Sequence, residues 1–302
     1  MTDSVLIIDS DQRSNEHLRG LLHPRYEVLI APVMEEGWHI LNHKKIDLVI
    51  GDYGIFKSSD KNVPQAIRRM RPESKIALIS SFDAERYLSS LSEWKCYHVL
   101  PRLPFYNARD VHIFVANILE PENAFGLPRY LSEDAEWDKV KIIGREQKNS
   151  VLEEIINYFA LCEYEIHELY DVRLIMEESI NNALFHAFRD EHGHEKYQTD
   201  LFETLEPDEE VIVEYGSDAT NIGFSVTDNR GTLTPSMVVE KMARQYYKEG
   251  LFDESGRGLY LARMLSGNMV INIVKNVKTQ ILCIFYEKRL NIPKPFSINY
   301  ME

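Results

Sequence analysis

Short apolar runs separated by amphipathic stretches mark the first 120 residues. "VLIID" (5–9), "DLVIGD" (47–52) and "KIALIS" (75–80) are apolar enough to be buried strands, and "YEVLIA" (26–31) and "YHVL" (97–100) supply two more. Helically spaced segments such as "NEHLRGLL" and "EEGWHILNHKK" lie between them. Strands alternating with helices about every 20–25 residues predict βαβ units and a parallel sheet, an α/β fold.

From about residue 139 the pattern becomes α+β. A strand "KVKIIG" leads into a helix through "EQKNSVLEEIINYFALCE" and a second helix over about 167–188. "EVIVEYG" and "NIGFSVTD" pair antiparallel around the turn "SDAT"; a helix over 235–248 follows, then "ESGRGLYLARMLSG". Two strands, "MVINIVK" and "TQILCIFYE", close the pattern. The stretch "PENAFGLPRYLSEDAEWDK" has the prolines, glycine and mixed charge of a connector with one short docking helix. The expected organisation is a domain over 1–120, a linker over 121–138, a second domain over 139–290 and a tail over 291–302.

Chemistry collects at three places. In parallel sheets ligands bind outside the carboxyl ends of the strands, and there the runs deliver Asp9, Asp52 and Ser80. In "EESINNALFHAF", Glu178, Asn182 and His186 recur every four residues and stack on one helix face beside Ile175, Ile180, Ala183, Leu184 and Ala187. Such a ladder is ordinarily a solvated face worth a few tenths of a kcal/mol. Yet a carboxylate can take a proton, an amide oxygen suits magnesium, and an imidazole can donate to phosphate. Downstream, "VTDNRG" ends a strand with Asp228 and then Gly231, and "GRGLYLAR" sets Gly256 and Gly258 at a helix start. There a glycine turn lets backbone amides approach a phosphate. A lone GxG is weak evidence; the helix, the strand-ending Asp and the glycine pair in this order are strong evidence.

Composition narrows the partners. Hydrophobic content of 44% and charged content of 27% are ordinary for a soluble globular chain. Residues 1–120 carry 16 acids against 15 bases, whereas 121–302 carry 32 against 19, ten of the acids between Arg189 and Glu214. Such an acidic surface repels nucleic-acid phosphates and favours a protein partner, a basic one above all. Three distant cysteines without a CxxC pair fit a reducing cytoplasm rather than a disulfide framework or structural zinc. The N-terminus does not read as a signal peptide, and no apolar stretch approaches the roughly 18–20 residues of a membrane helix. The expected location is cytoplasmic. His192 and His194 in "HGH" read as solvated loop.

The first 120 residues resemble the response-regulator receiver family, a flavodoxin-like (CheY-like) fold. The resemblance implies that Asp52 accepts a phosphoryl group from a histidine kinase, that Asp9 is the first of the paired magnesium-binding acids, and that Ser80 is the fourth-strand hydroxyl. The sequence departs from the pattern twice. Ser10 stands where the second acid belongs, with Asp11 one residue on. In "VLPRLPF", Leu103 replaces the lysine before Pro104-Phe105, leaving Arg102 as the nearest cation. Arginine and lysine are not equivalent at such a site, so phosphorylation is expected to be weak or short-lived.

Residues 139–288 resemble the histidine-kinase-like ATPase superfamily, most closely its anti-sigma-factor serine kinase branch, with a Bergerat-type α+β sandwich. By that resemblance Asn182 binds Mg2+, Glu178 acts as the base, His186 contacts phosphate and Asp228 accepts from the adenine amino group. Gly231, Gly256 and Gly258 line the nucleotide, Thr279 lies near the adenine, and a lid covers about 232–255. "DNRGT" departs from the usual D-x-G-x-G, with Arg230 and Thr232 at the glycine positions. The implied cofactors are ATP and Mg2+, and the implied activity is that of a receiver-controlled serine/threonine kinase in bacterial partner switching. The implied partners are a sigma factor, an anti-sigma antagonist or a phosphatase-like regulator, with an upstream histidine kinase and a homodimer. A non-catalytic, ATP-shaped docking module is the alternative. The connector is too short for a sensor kinase's dimerisation hairpin, which weakens a histidine-kinase reading.

Overall fold

A computed structural model describes residues 2–59, 62–104, 106–162, 166–198, 202–247, 257–286 and 292–302, without the side chains of 166–168. The chain forms two units, Met1–Asn123 with Asn291–Ser297, and Ala124–Leu290 with Ile298–Glu302.

In the first unit the apolar runs become β1 (Ser4–Ile8), β2 (Glu27–Ala31), β3 (Leu48–Asp52), β4 (Lys75–Ser80) and β5 (His98–Pro101). They pair in parallel in the order β2-β1-β3-β4-β5. This is the flavodoxin-like order, with its switch point between β1 and β3. Val5, Ile7, Leu48, Ile50, Ala77 and Ile79 are fully buried in one core cluster. Each fully buried aliphatic side chain contributes about 1.5–3 kcal/mol.

Helices α1 (Gln12–Leu22), α2 (Met34–His43), α3 (Tyr53–Ser58), α4 (Val63–Met70), α5 (Leu88–Trp94) and α6 (Ala108–Leu119) connect the strands. Several start on side-chain caps, which satisfy amides that have no intrahelical partner. Asp11 accepts from Ser14 N at 3.0 Å, Asp52 from Ile55 N at 2.9 Å and Asn62 from Gln65 N at 3.0 Å.

The returning segment completes this unit. Phe296 and Ser297 pair antiparallel with Val99 and His98, and Ser297 Oγ lies 2.9 Å from His98 Nδ1. Residues 291–302, expected as a tail, thus include the strand β11 (Phe296–Met301). Burial, with Lys75 nearby, depresses the His98 pKa to about 3. Between pH 3 and 6.5 the unfolded chain therefore binds the extra proton, so stability falls as pH drops below about 6.5. Lowering the pH from 7 to 5.5 should cost about 1 kcal/mol through this residue. Urea titrations should show that loss in the wild type and its removal in His98→Gln; identical profiles would rule out the assignment.

The second unit is an antiparallel sheet in the order β9-β10-β8-β7-β6, formed by β6 (Glu136–Ile142), β7 (Val211–Ser217), β8 (Asn221–Asp228), β9 (Asn268–Val274) and β10 (Lys278–Tyr286). Its helices are α7 (Arg145–Leu161), α8 (Ile166–Asn181), α9 (Pro235–Tyr246) and α10 (Arg257–Leu265). Strand side chains alternate between faces. On one face Gln280 Nε2 donates to Ser225 Oγ and Thr227 Oγ1, both at 3.2 Å, and Gln280 Oε1 accepts from Asn272 Nδ2 and Gly126 N. Glu214 Oε2 accepts from Ser225 Oγ at 2.7 Å and Leu127 N at 3.0 Å. This polar network seats residues 124–131 of the connector, whose Leu127 and Leu131 are fully buried. Phe224, Val226, Asp228 and Thr279 lie on the other face, toward α8.

Candidate functional site

The candidate site of the second unit is built where α8, the β8–β10 ladder and the start of α10 meet. Asp228 ends β8, pairs in register with Thr279 and is 6% exposed. Its Oδ1 accepts from Arg230 N at 2.9 Å and Gly231 N at 3.1 Å. Burial pushes its carboxyl pKa up, and these amides together with Thr279 oppose the rise. The Thr279 hydroxyl is buried beside this carboxylate. A buried hydroxyl beside a strand-end carboxylate offers a ligand both a donor and acceptors.

Gly231 has φ +61°, and a Cβ there would lie 2.1 Å from Val274 O. Only glycine fits this close approach to the β9–β10 turn. Its carbonyl accepts from Asn276 N at 3.0 Å, which ties the turn after β8 to the hairpin.

Gly258, at the start of α10, faces α8. A Cβ there would lie 2.8 Å from Glu178 Oε2, 3.0 Å from Glu178 Cβ and 3.1 Å from Asn182 Nδ2. Eighty residues apart in sequence, the glycine and the Glu–Asn pair are in direct contact. Among the described residues, Glu178 and Asn182 thus lie together beside the start of α10. Gly256 and residues 248–255 of the expected lid lie outside the described residues.

His186 departs from expectation. Residues Asn182–His186 form a π turn, not a continuation of the α-helix. The wider turn shifts His186 off the line through Glu178 and Asn182, as π turns do at many functional sites. His186 Nδ1 donates instead to Glu195 Oε1 at 2.8 Å, and Arg189 Nη1 lies 3.5 Å from the same oxygen. Lys241 of α9 also senses Glu195, although burial holds its pKa below the ordinary lysine value. The sequence reading missed Glu195 and Lys241, since only the fold brings Glu195 to His186 and Lys241 to Glu195.

Arg230 does not occupy a glycine's role. Its Nη2 donates to Asp208 Oδ2 at 2.8 Å, and its guanidinium lies 5.3 Å from the Phe188 ring centroid. Asn229 Nδ2 adds a bond to Asp208 O at 2.8 Å. The turn after Asp228 is therefore anchored to the acidic segment.

In the first unit, Asp9 and Asp52 follow β1 and end β3, at the switch point. Arg102 Nη2 bridges them, at 2.6 Å from Asp9 Oδ2 and 2.9 Å from Asp52 Oδ2. Asp9 is 1% exposed. Ser80 Oγ donates to Tyr87 Oη at 2.9 Å and accepts from Phe82 N at 3.1 Å. Among the described residues no group of three His, Cys, Asp or Glu is placed to hold a metal, and no helix is long and apolar enough to cross a membrane.

The first unit has the receiver fold and the second is a histidine kinase-like ATPase domain. Residues 148–284 match the family described as "Histidine kinase-like ATPase domain". Among solved structures, the response regulator DrrB, a Thermotoga maritima OmpR/PhoB homolog, is similar at 18% identity over 40% of this chain and 54% of that chain, with TM-score 0.36. The chain thus spans about half the length of DrrB. Another Thermotoga maritima response regulator is 21% identical over 39% of this chain and 98% of its own, TM-score 0.36. A CheY-like receiver domain protein from Methanospirillum hungatei is 18% identical over 42% and 100%, TM-score 0.35. No curated protein matches in sequence. The chain thus joins a receiver-type fold to an ATPase-like domain.

Proposed function

We propose that the protein is an ATP-dependent serine/threonine kinase, or anti-sigma-like switch, of a partner-switching pathway. The observation that carries the reading is the contact of Gly258 with both Glu178 and Asn182. The Asp228–Thr279 pair completes the site. The residues fit magnesium-ATP: the Asn182 amide oxygen is a hard-metal ligand, Asp228 and Thr279 suit an adenine edge, and the start of α10 suits phosphate. When bound, magnesium-ATP supplies the transferable phosphoryl group. The protein's share is positioning and charge neutralisation.

Asn182 would hold the metal, Glu178 would accept the proton of the attacking partner hydroxyl, and Asp228 would fix the adenine. His186 reaches phosphate only by exchanging Glu195 for it. The partner is a sigma factor, an anti-sigma antagonist or a phosphatase-like regulator, met in the cytoplasm. The receiver-type unit acts chiefly as a docking surface, with Asp52 a poor acceptor for an upstream histidine kinase.

The engagement of His186 with Glu195 favours a second reading, a docking module shaped by ATP without catalysis. Labelled ATP offered to the full-length protein with candidate partners separates the two. Label on a partner serine or threonine supports the kinase, and ATP binding with no transfer supports the module. Label on the protein's own histidine would overturn both. Asn182→Ala should weaken ATP binding about tenfold (about 1.4 kcal/mol) in magnesium and leave it unchanged in chelator. Calorimetry that finds equal affinity in both would remove Asn182 from the metal site.

A further inference from the structure

We propose that the Arg102 guanidinium is the built-in cation of the receiver-type unit, holding the place between Asp9 and Asp52 that a divalent metal would take. This inference is independent of the kinase reading. Two carboxylates at one switch point repel, and a buried acid such as Asp9 needs an opposite charge and hydrogen bonds on its oxygens. Arg102 Nη2 supplies both, to Asp9 Oδ2 at 2.6 Å and to Asp52 Oδ2 at 2.9 Å. The other two oxygens are also occupied. Asp9 Oδ1 accepts from Asp11 N at 2.9 Å, and Asp52 Oδ1 accepts from Ile55 N at 2.9 Å.

The remaining acid is committed elsewhere. Asp11 Oδ1 caps α1, and its Oδ2 is 4.0 Å from Arg102 Nε. A magnesium ion wants near-octahedral oxygen coordination, and it would meet a like charge held between its only acidic ligands. The donor set therefore does not fit the metal that the receiver resemblance implies.

The arginine is fixed at its root. Arg102 N donates to Ser80 O at 2.6 Å, and Nη1 donates to Ser81 Oγ at 3.3 Å. A guanidinium does not lose its proton, so one charge of the acid pair stays countered whatever the magnesium or phosphodonor level. The same bond occupies the Asp52 oxygen that an incoming phosphoryl group would have to share.

The test uses full-length protein without nucleotide and Mn2+ as the probe, read by calorimetry. Wild type and Asp9→Asn are expected to bind Mn2+ alike, since no site exists at the acid pair. Arg102→Ala should gain a Mn2+ site that binds more tightly than the wild type's background by about tenfold or more, because a like charge no longer sits beside the ion. Adding Asp9→Asn should abolish that gain. Equal Mn2+ binding by wild type and Arg102→Ala would overturn the proposal. So would a wild-type site that Asp9→Asn removes, a comparison that needs no arginine variant. With an acyl phosphate and Mg2+, intact mass should show almost no phosphoryl group on wild type. Stoichiometric, magnesium-dependent modification lost in Asp52→Asn would also overturn it.

Discussion

Glu178→Gln is expected to slow phosphoryl transfer to the partner about 10²–10⁴-fold, the usual contribution of a general base. ATP should still bind. Glutamine keeps the length and shape of the side chain, so the contact that Gly258 makes with Glu178 Cβ and Oε2 survives. What disappears is the ability to take a proton. The carboxylate sits on α8 four residues before Asn182, close to the proposed metal yet on a separate side chain. Single-turnover transfer at saturating ATP measures the chemical step. A loss of less than about tenfold would take the base role away from Glu178. A parallel loss of ATP affinity would make it a binding residue instead.

Gly231→Ala should destabilise the second unit by about 2–5 kcal/mol, from roughly 1–2 for a left-handed non-glycine backbone and roughly 1–3 for overpacking. The new methyl group would meet Val274 O, Val277 N and Lys278 N at 2.1–2.8 Å, all of them backbone atoms that cannot swing aside. Domains are usually stable by about 5–15 kcal/mol, so this is a large fraction of the whole. Urea unfolding followed by circular dichroism measures it. A change below about 1 kcal/mol would show that the hairpin yields cheaply. ATP affinity should fall as well, because the Gly231 amide helps hold Asp228.

Much of this was legible locally. The runs predicted as strands in the first half match β1–β5 to within a residue or two, and "KIALIS" is β4 itself. Continuous apolar runs bounded by polar ends leave little choice. Asp228 and Gly231 were readable because a strand end and a glycine are local events. Gly258 against Glu178 was readable only through the order of three separate segments. Other features arise from distance. Arg102 meets Asp9 across 93 positions and Asp52 across 50, and no local spacing foretells that a guanidinium will settle between them. The π turn at Asn182–His186 has no signature in "NALFH", whose four-residue spacing suggested an unbroken helix. β11 did leave a trace. Phe296, Ile298 and Tyr300 alternate with Ser297, Asn299 and Met301, just after Pro293 and Pro295.

The return of residues 291–297 to the first unit gives that unit an unusual biography. Its five parallel strands leave the ribosome early, but the segment that pairs with β5 comes about 195 residues later. At about 5–20 residues per second the delay is roughly 10–40 s. Throughout that interval β5 is a bare sheet edge, open to any extended chain that reaches it. Nascent copies on one polysome, or a chaperone that favours exposed edges, compete for that place with a strand that has not yet been made.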